Sequence, residues 1–453
     1  MSPLVSVYIT NFNYGKYLPQ SINSVLSQTS DNWELIIIDD GSSDNSYDIL
    51  AQFDSHPKIK IVYNQNQGLI KSANMALKLS TGKYIVRLDA DDYFDENALL
   101  ILSNTLETKQ DIGMVYPDYY HVDKNGEILD LVHRKKIEME VGLLDLPAHG
   151  AGTMFKKSCF AELGGYNPEL TCQDGYDIWL KFINTYKIYN VNLPLFYYRR
   201  HGKNLTTNSQ KILTTRRYIK RRHVEKHFGH QSLNVLGIIP TKGDGHSIKN
   251  FPLKSLAGKP VIYYTIEEAE KCEQINRLIF TTESQTVADA AKKSGVEVVI
   301  RPEELADSSQ GFEKTVMFIL DYLAKQNYFA DIVVLMSITS PLKKSYHITE
   351  AIDTLLIFDC DSVISVCEDL KFHYRHDFYG LTPLFKKRLL RMEKESLYEE
   401  NGALFVSKRN VISDESFLGK TISHIIMQKE ESIDIDEQFD FWMSEQIIKQ
   451  YQP

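Results

Sequence analysis

The sequence predicts an α/β fold made of two domains in tandem, and three observations lead there. Apolar β-branched runs alternate with helical periodicity along the chain, the strands of the first half empty into acidic loops, and a fresh apolar strand begins after His230. A length of 453 residues suits two domains of about two hundred residues each, with ample core in both. Hydrophobic residues at 43% and charged ones at 25% exclude a disordered or fibrous chain, and a net charge of -9 argues against nucleic acid as a general partner. Cys159, Cys172, Cys272, Cys360 and Cys367 are odd in number and never form CxxC, so neither a zinc site nor a disulfide framework is indicated and they read as reduced core residues.

Val5 to Thr10 is a strand by its β-branched content, followed by a polar loop, Asn11 to Gly15, and a helix with apolar positions Leu18, Ile22, Val25 and Leu26. Trp33 to Ile38 is the next strand. It ends in Asp39-Asp40-Gly41-Ser42-Ser43-Asp44, where Gly41 makes the turn, Ser43 or Asp44 caps a helix, and Asp39 and Asp40 can accept hydrogen bonds from a base or ribose. Ile61-Val62-Tyr63 leads through Asn64, Asn66, Gln67 and Gly68 to a helix carrying Ala73, Asn74, Ala76 and Leu77. The central strand follows, with Tyr84, Ile85, Val86 and Leu88 apolar and three carboxylates at its exit, Asp89, Asp91 and Asp92. On a continuing strand Asp89 and Asp91 face the same side, where a hard divalent ion completed by substrate phosphates would bind. An Asp-rich tripeptide alone reads more simply as a solvated turn. The repeat of strand, acidic loop and helix tips the balance, because parallel strands collect ligands at their carboxyl ends.

Together Val5-Ser6-Val7, Thr10, Asn13-Tyr14, Ile38 to Asp44, Asn66-Gln67-Gly68, Ala73-Asn74, Gly82-Lys83-Tyr84 and Leu88 to Asp92 resemble the inverting family-2 glycosyltransferases of the GT-A fold over the first two hundred residues or so. The resemblance implies that Thr10, Asn13, Tyr14, Asp39, Asp40 and Gly68 bind the donor nucleotide and that Asp91, with Asp89, holds Mg2+ or Mn2+. Leu163-Gly164-Gly165-Tyr166-Asn167 matches the family's Gly-Gly-aromatic segment, and Gln173-Asp174 stands where the family usually has Glu-Asp. Asp174 is therefore the expected general base, and Asp177 is expected to cap or orient the helix Ile178 to Phe182. Tyr197-Tyr198-Arg199-Arg200-His201 matches the family's closing strand and loop, with His201 or an arginine near the diphosphate.

Between Thr214 and His230, Arg216, Arg217, Lys220, Arg221, Arg222 and Lys226 lie on a basic helix. A solvated helix packed on the first domain is the favoured reading; docking on anionic lipid, which suits a lipid-linked acceptor, is the alternative. The expected domains are 1-230 and 231-453.

In the second half, the strand Leu233 to Pro240 opens into a Gly-containing basic loop, Thr241 to Asn250, of a kind that can wrap phosphates. The strand Arg277 to Thr282, the helix Val287 to Lys293 and the strand near Val333 to Met336 continue the alternation. With Leu256-Ala257-Gly258-Lys259-Pro260, Thr339-Ser340-Pro341-Leu342, Asn401-Gly402-Ala403 and Ser432 to Phe441, this half resembles the acylneuraminate cytidylyltransferases, or CMP-sialic acid synthetases. Two Rossmann-like nucleotide-binding domains in tandem are thus the expected architecture. The resemblance implies CTP and a nonulosonic acid as substrates, magnesium at Asp434 and Asp436, and contacts from Lys242, Gly243, Lys249, Asn250 and Asn401; Arg391 would pair with the sugar carboxylate. Several positions depart from the family. Lys242 takes an arginine's place, His246 a lysine's, Lys249-Asn250 comes two residues early, and Ser337-Ile338 replaces Gln-Pro.

The expectation is a bifunctional enzyme of surface-glycan assembly, acting on a glycan or lipid-linked acceptor, with a homodimer formed through the second domain. The alternative is an active transferase whose second domain serves assembly or docking. With no apolar run long enough to cross a bilayer and no signal segment in Met1 to Tyr8, the expected location is cytoplasmic, at or near the inner face of a membrane.

Overall fold

The computed structural model describes residues 4–134, 150–201, 209–229, 232–243, 246–306, 311–378, 380–384 and 397–451. The chain forms two units, Met1–Ile219 and Lys220–Pro453.

In the first unit the strands are β1 (Val5–Asn11), β2 (Trp33–Asp39), β3 (Ile59–Tyr63), β4 (Tyr84–Asp89), β5 (Tyr93–Phe94), β6 (Ile112–Val122), β7 (Ile128–Val132), β8 (Met154–Lys156) and β9 (Lys187–Arg199). They form one sheet in the order β3-β2-β1-β4-β8-β6-β9-β5, with β7 added to β6. β1, β2, β3 and β4 run parallel, joined by the helices Leu18–Leu26, Ser46–Leu50 and Leu69–Leu79, as the alternating pattern predicts. β1 and β2 are buried nearly throughout, which explains why they read as continuous apolar runs. Val7, Ile9, Leu35, Ile37, Val86 and Leu88 join Ile22, Val25 and Leu102 from the covering helices in one core.

The second unit contains β10 (Val235–Pro240), β11 (Ser255–Leu256), β12 (Lys259–Pro260), β13 (Arg277–Thr282), β14 (Glu297–Ile300), β15 (Ile332–Met336), β16 (Ser362–Asp369), β17 (Tyr374–Asp377), β18 (Gly380–Pro383), β19 (Leu397–Lys408) and β20 (Ile422–Met427). Its main sheet has the order β14-β13-β10-β15-β19-β16-β20, and β19 is antiparallel to both its neighbours. Leu236, Ile238, Ile279, Val333 and Leu335 pack with Val316, Ile319 and Leu323 of the helix Glu313–Ala324.

The division falls inside the basic helix, Ser209–His227, ahead of the boundary expected at 230. In the second unit Lys220 Nζ lies 3.2 Å from Glu350 Oε1 and Arg221 Nη1 lies 3.1 Å from Asp353 Oδ1, both carboxylates being buried on the helix Ser345–Phe358. In the first unit Arg216 donates to Gln173 Oε1 at 2.9 Å and covers the Tyr176 ring. Much of the helix's charge thus has internal partners. Four cysteines are buried and Cys367 is half-buried, and none forms a disulfide.

Candidate functional site

Parallel pairing sets Thr10 opposite Asp89 and Asn11 opposite Asp39, so the carboxyl ends of β1, β2 and β4 form one row. β4 stops at Asp89, because the Asp92 amide donates back to the Asp89 carbonyl at 3.1 Å and turns the chain. Asp91 therefore does not continue the strand face of Asp89 as the spacing predicts. The two side chains take different partners: Asp89 Oδ1 accepts from Arg87 Nε at 2.6 Å, and Asp91 Oδ2 lies 2.8 Å from His201 Nε2. Burial first, and then the neighbouring carboxylates, push the Asp92 carboxyl well above its ordinary range.

Arg87 was missed in the sequence, and it is central. Its Nη1 donates to Asp174 Oδ2 at 2.6 Å, so one buried guanidinium bridges Asp89 and the expected base. Burial opposes its charge, but Asp89 and Asp174 outweigh that and raise its pKa well above the ordinary guanidinium value. An arginine inside an apolar strand was the available signal, since a buried cation must find a carboxylate. Beneath it, Tyr8 and Tyr166 share a hydrogen bond of 2.7 Å between their hydroxyls.

Asp174 opens the helix Asp174–Ile183, preceded by Gln173 in the left-handed region at φ 61. Gly175 lets this turn approach Gly150, where an added Cβ would meet the Gly150 Cα at 3.2 Å. Asp177 is no cap: it lies within the first turn and pairs at 2.6 Å with Lys181, one turn on in the same helix. Gln173, standing in for the usual glutamate, is taken up by Arg216.

His201 stacks on Tyr17, ring centroids 5.4 Å apart, and tilts against Tyr14 at 5.7 Å. Burial and then Asp91, Asp89 and Asp92 push the Tyr14 hydroxyl up to about 12, so it remains a phenol and a donor. Asp39 accepts from Asn11 Nδ2 at 2.7 Å and from the amide and hydroxyl of Ser42, while Asp40 accepts from the amides of Gln67 and Gly68 and from Ser72 Oγ at 2.9 Å. Both carboxylates thus fix the loops, Asp40 holding Gly68 at φ 90 ahead of its helix. Asn13 does similar work, with Oδ1 accepting from the Ser43 amide at 2.7 Å. Thr10 Oγ1 is buried without a hydrogen-bond partner among the described residues.

The second unit has a cavity of about 200 Å³ lined in part by Lys242, Gly243, His246, Asn250, Ser337 and Thr339. The Gly243 amide donates to Glu283 Oε1 at 2.6 Å, and buried Arg301 holds the same carboxylate at 3.0 Å. His246 Nδ1 accepts from the Ile248 amide at 3.0 Å, so Nε2 carries the proton and donates to the Ile435 carbonyl at 2.9 Å. The ring stacks face to face on Phe251 at 4.0 Å. Where the family has a lysine, this chain has a clasp on the Asp434 to Asp436 segment. Thr339 holds that segment from the other side, its carbonyl accepting from the Ile435 amide at 2.8 Å. Ser340 Oγ donates to Asp434 Oδ1 at 3.3 Å, and burial, followed by the Asp436 charge, raises the Asp434 carboxyl. Below lies a second residue the sequence reading missed, Lys343, wholly buried, whose Nζ donates to Thr265 Oγ1 and to the carbonyls of Ser337 and Ser340.

Asn401 does not line the cavity, and its amide is used internally by Ser365, Ala403 and Ser432. Lys249 is exposed outside the lining, Asn250 turns the chain at φ 53, and Arg391 lies outside the described residues.

Among the described residues no three His, Cys, Asp or Glu side chains form a ready-made metal cage. The donor chemistry still fits a hard divalent cation at Asp91 with His201, and at Asp434 with Asp436: burial and then a neighbouring carboxylate raise Asp92 at the first place and Asp434 at the second, and a cation would relieve that crowding.

The family model described as glycosyl transferase family 2 matches residues 6–164, and that described as cytidylyltransferase matches residues 236–450. The chain belongs to the family 2 glycosyltransferases through its first unit, and its second carries a cytidylyltransferase domain. It is 30% identical to an uncharacterized glycosyltransferase of Rickettsia prowazekii over 46% of this chain and 67% of that one. It is 27% identical to the chondroitin synthase of Escherichia coli over 52% of this chain and 33% of that one, and 32% identical to an N-acylneuraminate cytidylyltransferase of Escherichia coli over 46% and 50%. The chain thus spans a third to a half of these last two relatives. Among solved structures, Staphylococcus aureus TarS 1-349 in complex with UDP is similar at a TM-score of 0.41 and 16% identity, covering 49% of this chain and 66% of that one. The described residues contain no helix long and apolar enough to cross a membrane.

Proposed function

We propose that the chain is a bifunctional enzyme of surface-polysaccharide assembly. The first unit transfers a sugar, with inversion, from a nucleoside-diphosphate sugar to a glycan or lipid-linked acceptor. The second joins CTP and a nonulosonic acid into a CMP-sugar and pyrophosphate. The observation that carries this reading is the convergence of Asp91 with His201 and of Asp174 with Arg87 at the strand ends of a family 2 glycosyltransferase domain.

In the first unit Thr10 and the loops fixed by Asp39 and Asp40 receive the nucleoside. Asp91, His201 and the nearby Asp89 would hold Mg2+ or Mn2+, which when bound offsets the charge of the departing diphosphate. Asp174 takes the acceptor hydroxyl's proton on the carboxylate oxygen not engaged by Arg87, and Arg87 aims that carboxylate. In the second unit Asp434 and Asp436 would hold the ion, and Lys242 and Lys249 meet the phosphates. The sugar's anomeric hydroxyl attacks the α-phosphorus and pyrophosphate leaves. Contact with an anionic membrane would rest on Arg222 and Lys226, which remain exposed on the basic helix.

A double dissociation tests the reading. Asp91→Asn should abolish sugar transfer while pyrophosphate release from CTP with a panel of nonulosonic acids continues; Asp434→Asn should do the reverse. Pyrophosphate silence across the panel in folded wild-type protein would favour a second unit used for assembly, since its His246 clasp replaces a phosphate-binding lysine.

A further inference from the structure

At the end of β9, Arg199 is wholly buried, and its side chain donates to three elements at once. Nε donates to the Asp91 carbonyl at 2.7 Å, Nη1 to the Asp123 carbonyl at 3.2 Å and Nη2 to Gln20 Oε1 at 2.6 Å. Its own amide donates to Asp92 Oδ1 at 2.8 Å. The guanidinium lies between two rings, 4.8 Å from the centroid of Tyr17 and 5.4 Å from that of Tyr93. Tyr17 is also the ring on which His201 stacks.

We infer that Arg199 is a positioning residue that sets the Asp91–His201 pair, and through it the first unit's capacity for a divalent cation. Both members of the pair are tied to it. The main chain of Asp91 is held by Nε, and His201 follows two residues after Arg199 on a chain fixed by the Asp92 contact and by Tyr17. A planar fork suits this place, because its donors reach three separate acceptors while the guanidinium packs against two rings. Lysine keeps the charge but offers neither the fork nor the flat faces. Arg199 touches no reacting atom itself.

The inference rests on the proposed donor site, and the experiment separates the two. Full-length protein in which Asp434→Asn silences the second unit's cation site, either otherwise wild type or with Arg199→Lys, Gln20→Leu or Asp91→Asn, is titrated with Mn2+ alone and with Mn2+ in the presence of UDP or GDP, by calorimetry and by electron paramagnetic resonance of the unbound ion. The otherwise wild-type protein is expected to bind and Asp91→Asn to lose binding. Arg199→Lys should weaken Mn2+ at least tenfold with little change in Tm, and Gln20→Leu, changed at an exposed position that accepts from Arg199, about threefold. Wild-type affinity in Arg199→Lys would overturn the inference alone. Should Arg199→Lys fail to fold, Gln20→Leu decides in the same way, undiminished affinity overturning it. An otherwise wild-type protein that binds no Mn2+ in any mixture would overturn the donor-site reading and this inference with it.

Discussion

At the candidate sites the carboxylates are partnered differently: Asp89, Asp91 and Asp174 of the first unit pair with basic side chains, whereas Asp434 and Asp436 of the second make no ion pair among the described residues. Asp89 and Asp174 share Arg87, and Asp91 meets His201. Asp434, by contrast, accepts a hydrogen bond from Ser340, and the segment that carries it is held by neutral groups, His246 and the Thr339 carbonyl. The nearby cations Lys242 and Lys249 are exposed at the surface. The first site is held in advance by buried charge pairs, which keep their geometry at the cost of desolvation, whereas Lys242 and Lys249 beside the second stay in water.

Removing a charge partner should therefore break the first unit far more than the second. Arg87→Met leaves Asp89 and Asp174 buried without their cation, and a destabilisation of about 3–5 kcal/mol is expected. Thermal unfolding of the full chain should show the first unit's transition falling while the second's stays in place. Equal movement of both would show that the bridge is not local to this site. Asp174→Asn keeps the shape and the Arg87 contact, so the fold should survive while kcat for transfer falls about 10²–10⁴-fold. The KM for the donor should change little, and a kcat within threefold of wild type would remove Asp174 from the role of base.

The second unit should show the opposite profile. Lys249→Ala removes an exposed charge, so stability should be unchanged and the KM for CTP should rise about tenfold with kcat nearly constant, as for uniform binding. The effect should shrink as salt is raised from about 50 mM to 300 mM, because an exposed contact is screened. A loss in kcat instead would place Lys249 in the transition state and close the contrast between the units.

The sequence showed β1, β2, β4, β10, β13 and β15 because they are largely buried and rich in apolar and β-branched residues, and β13 was read to the residue, whereas exposed strands such as β7 went unread. It showed Asp89, Asp91 and Asp174 through a family's motif. It could not show Arg87 bridging two of them, since those partners lie two and 87 positions away and only the fold brings the second near. Asp39 and Asp40 were legible as a loop pair, but their internal bonds were not, because the Gln67 and Gly68 amides reach Asp40 only once β2 and β3 pair. Asp177 was misplaced because Gln173 takes a left-handed conformation that starts the helix earlier than its apolar pattern. Lys343 was passed over in a turn, where lysine is ordinarily solvated.

Lys343 gives the comparison its subtlest test, because it is a buried amine beside a site whose other lysines, Lys242 and Lys249, are exposed. Burial lowers its pKa from 10.5 to about 7, against the opposing pull of Asp434 and Glu268. In the unfolded chain the amine binds its proton up to its ordinary value, so between these limits the unfolded state holds more protons than the folded one. The contribution of Lys343 to stability therefore rises with pH from about 7 towards 10, with a slope of at most about 1.4 kcal/mol per pH unit. Glu431, lowered to about 2 with burial opposing and His347 drawing it down, acts only below neutrality and leaves this window undisturbed. Lys343→Met should flatten the dependence, so that the Tm of the second unit in wild type gains on the variant as pH climbs from 7 to 10. A constant gap across that range would mean that Lys343 stays charged when folded, and that the floor of the second cavity is as strongly paired as the first unit's bridge.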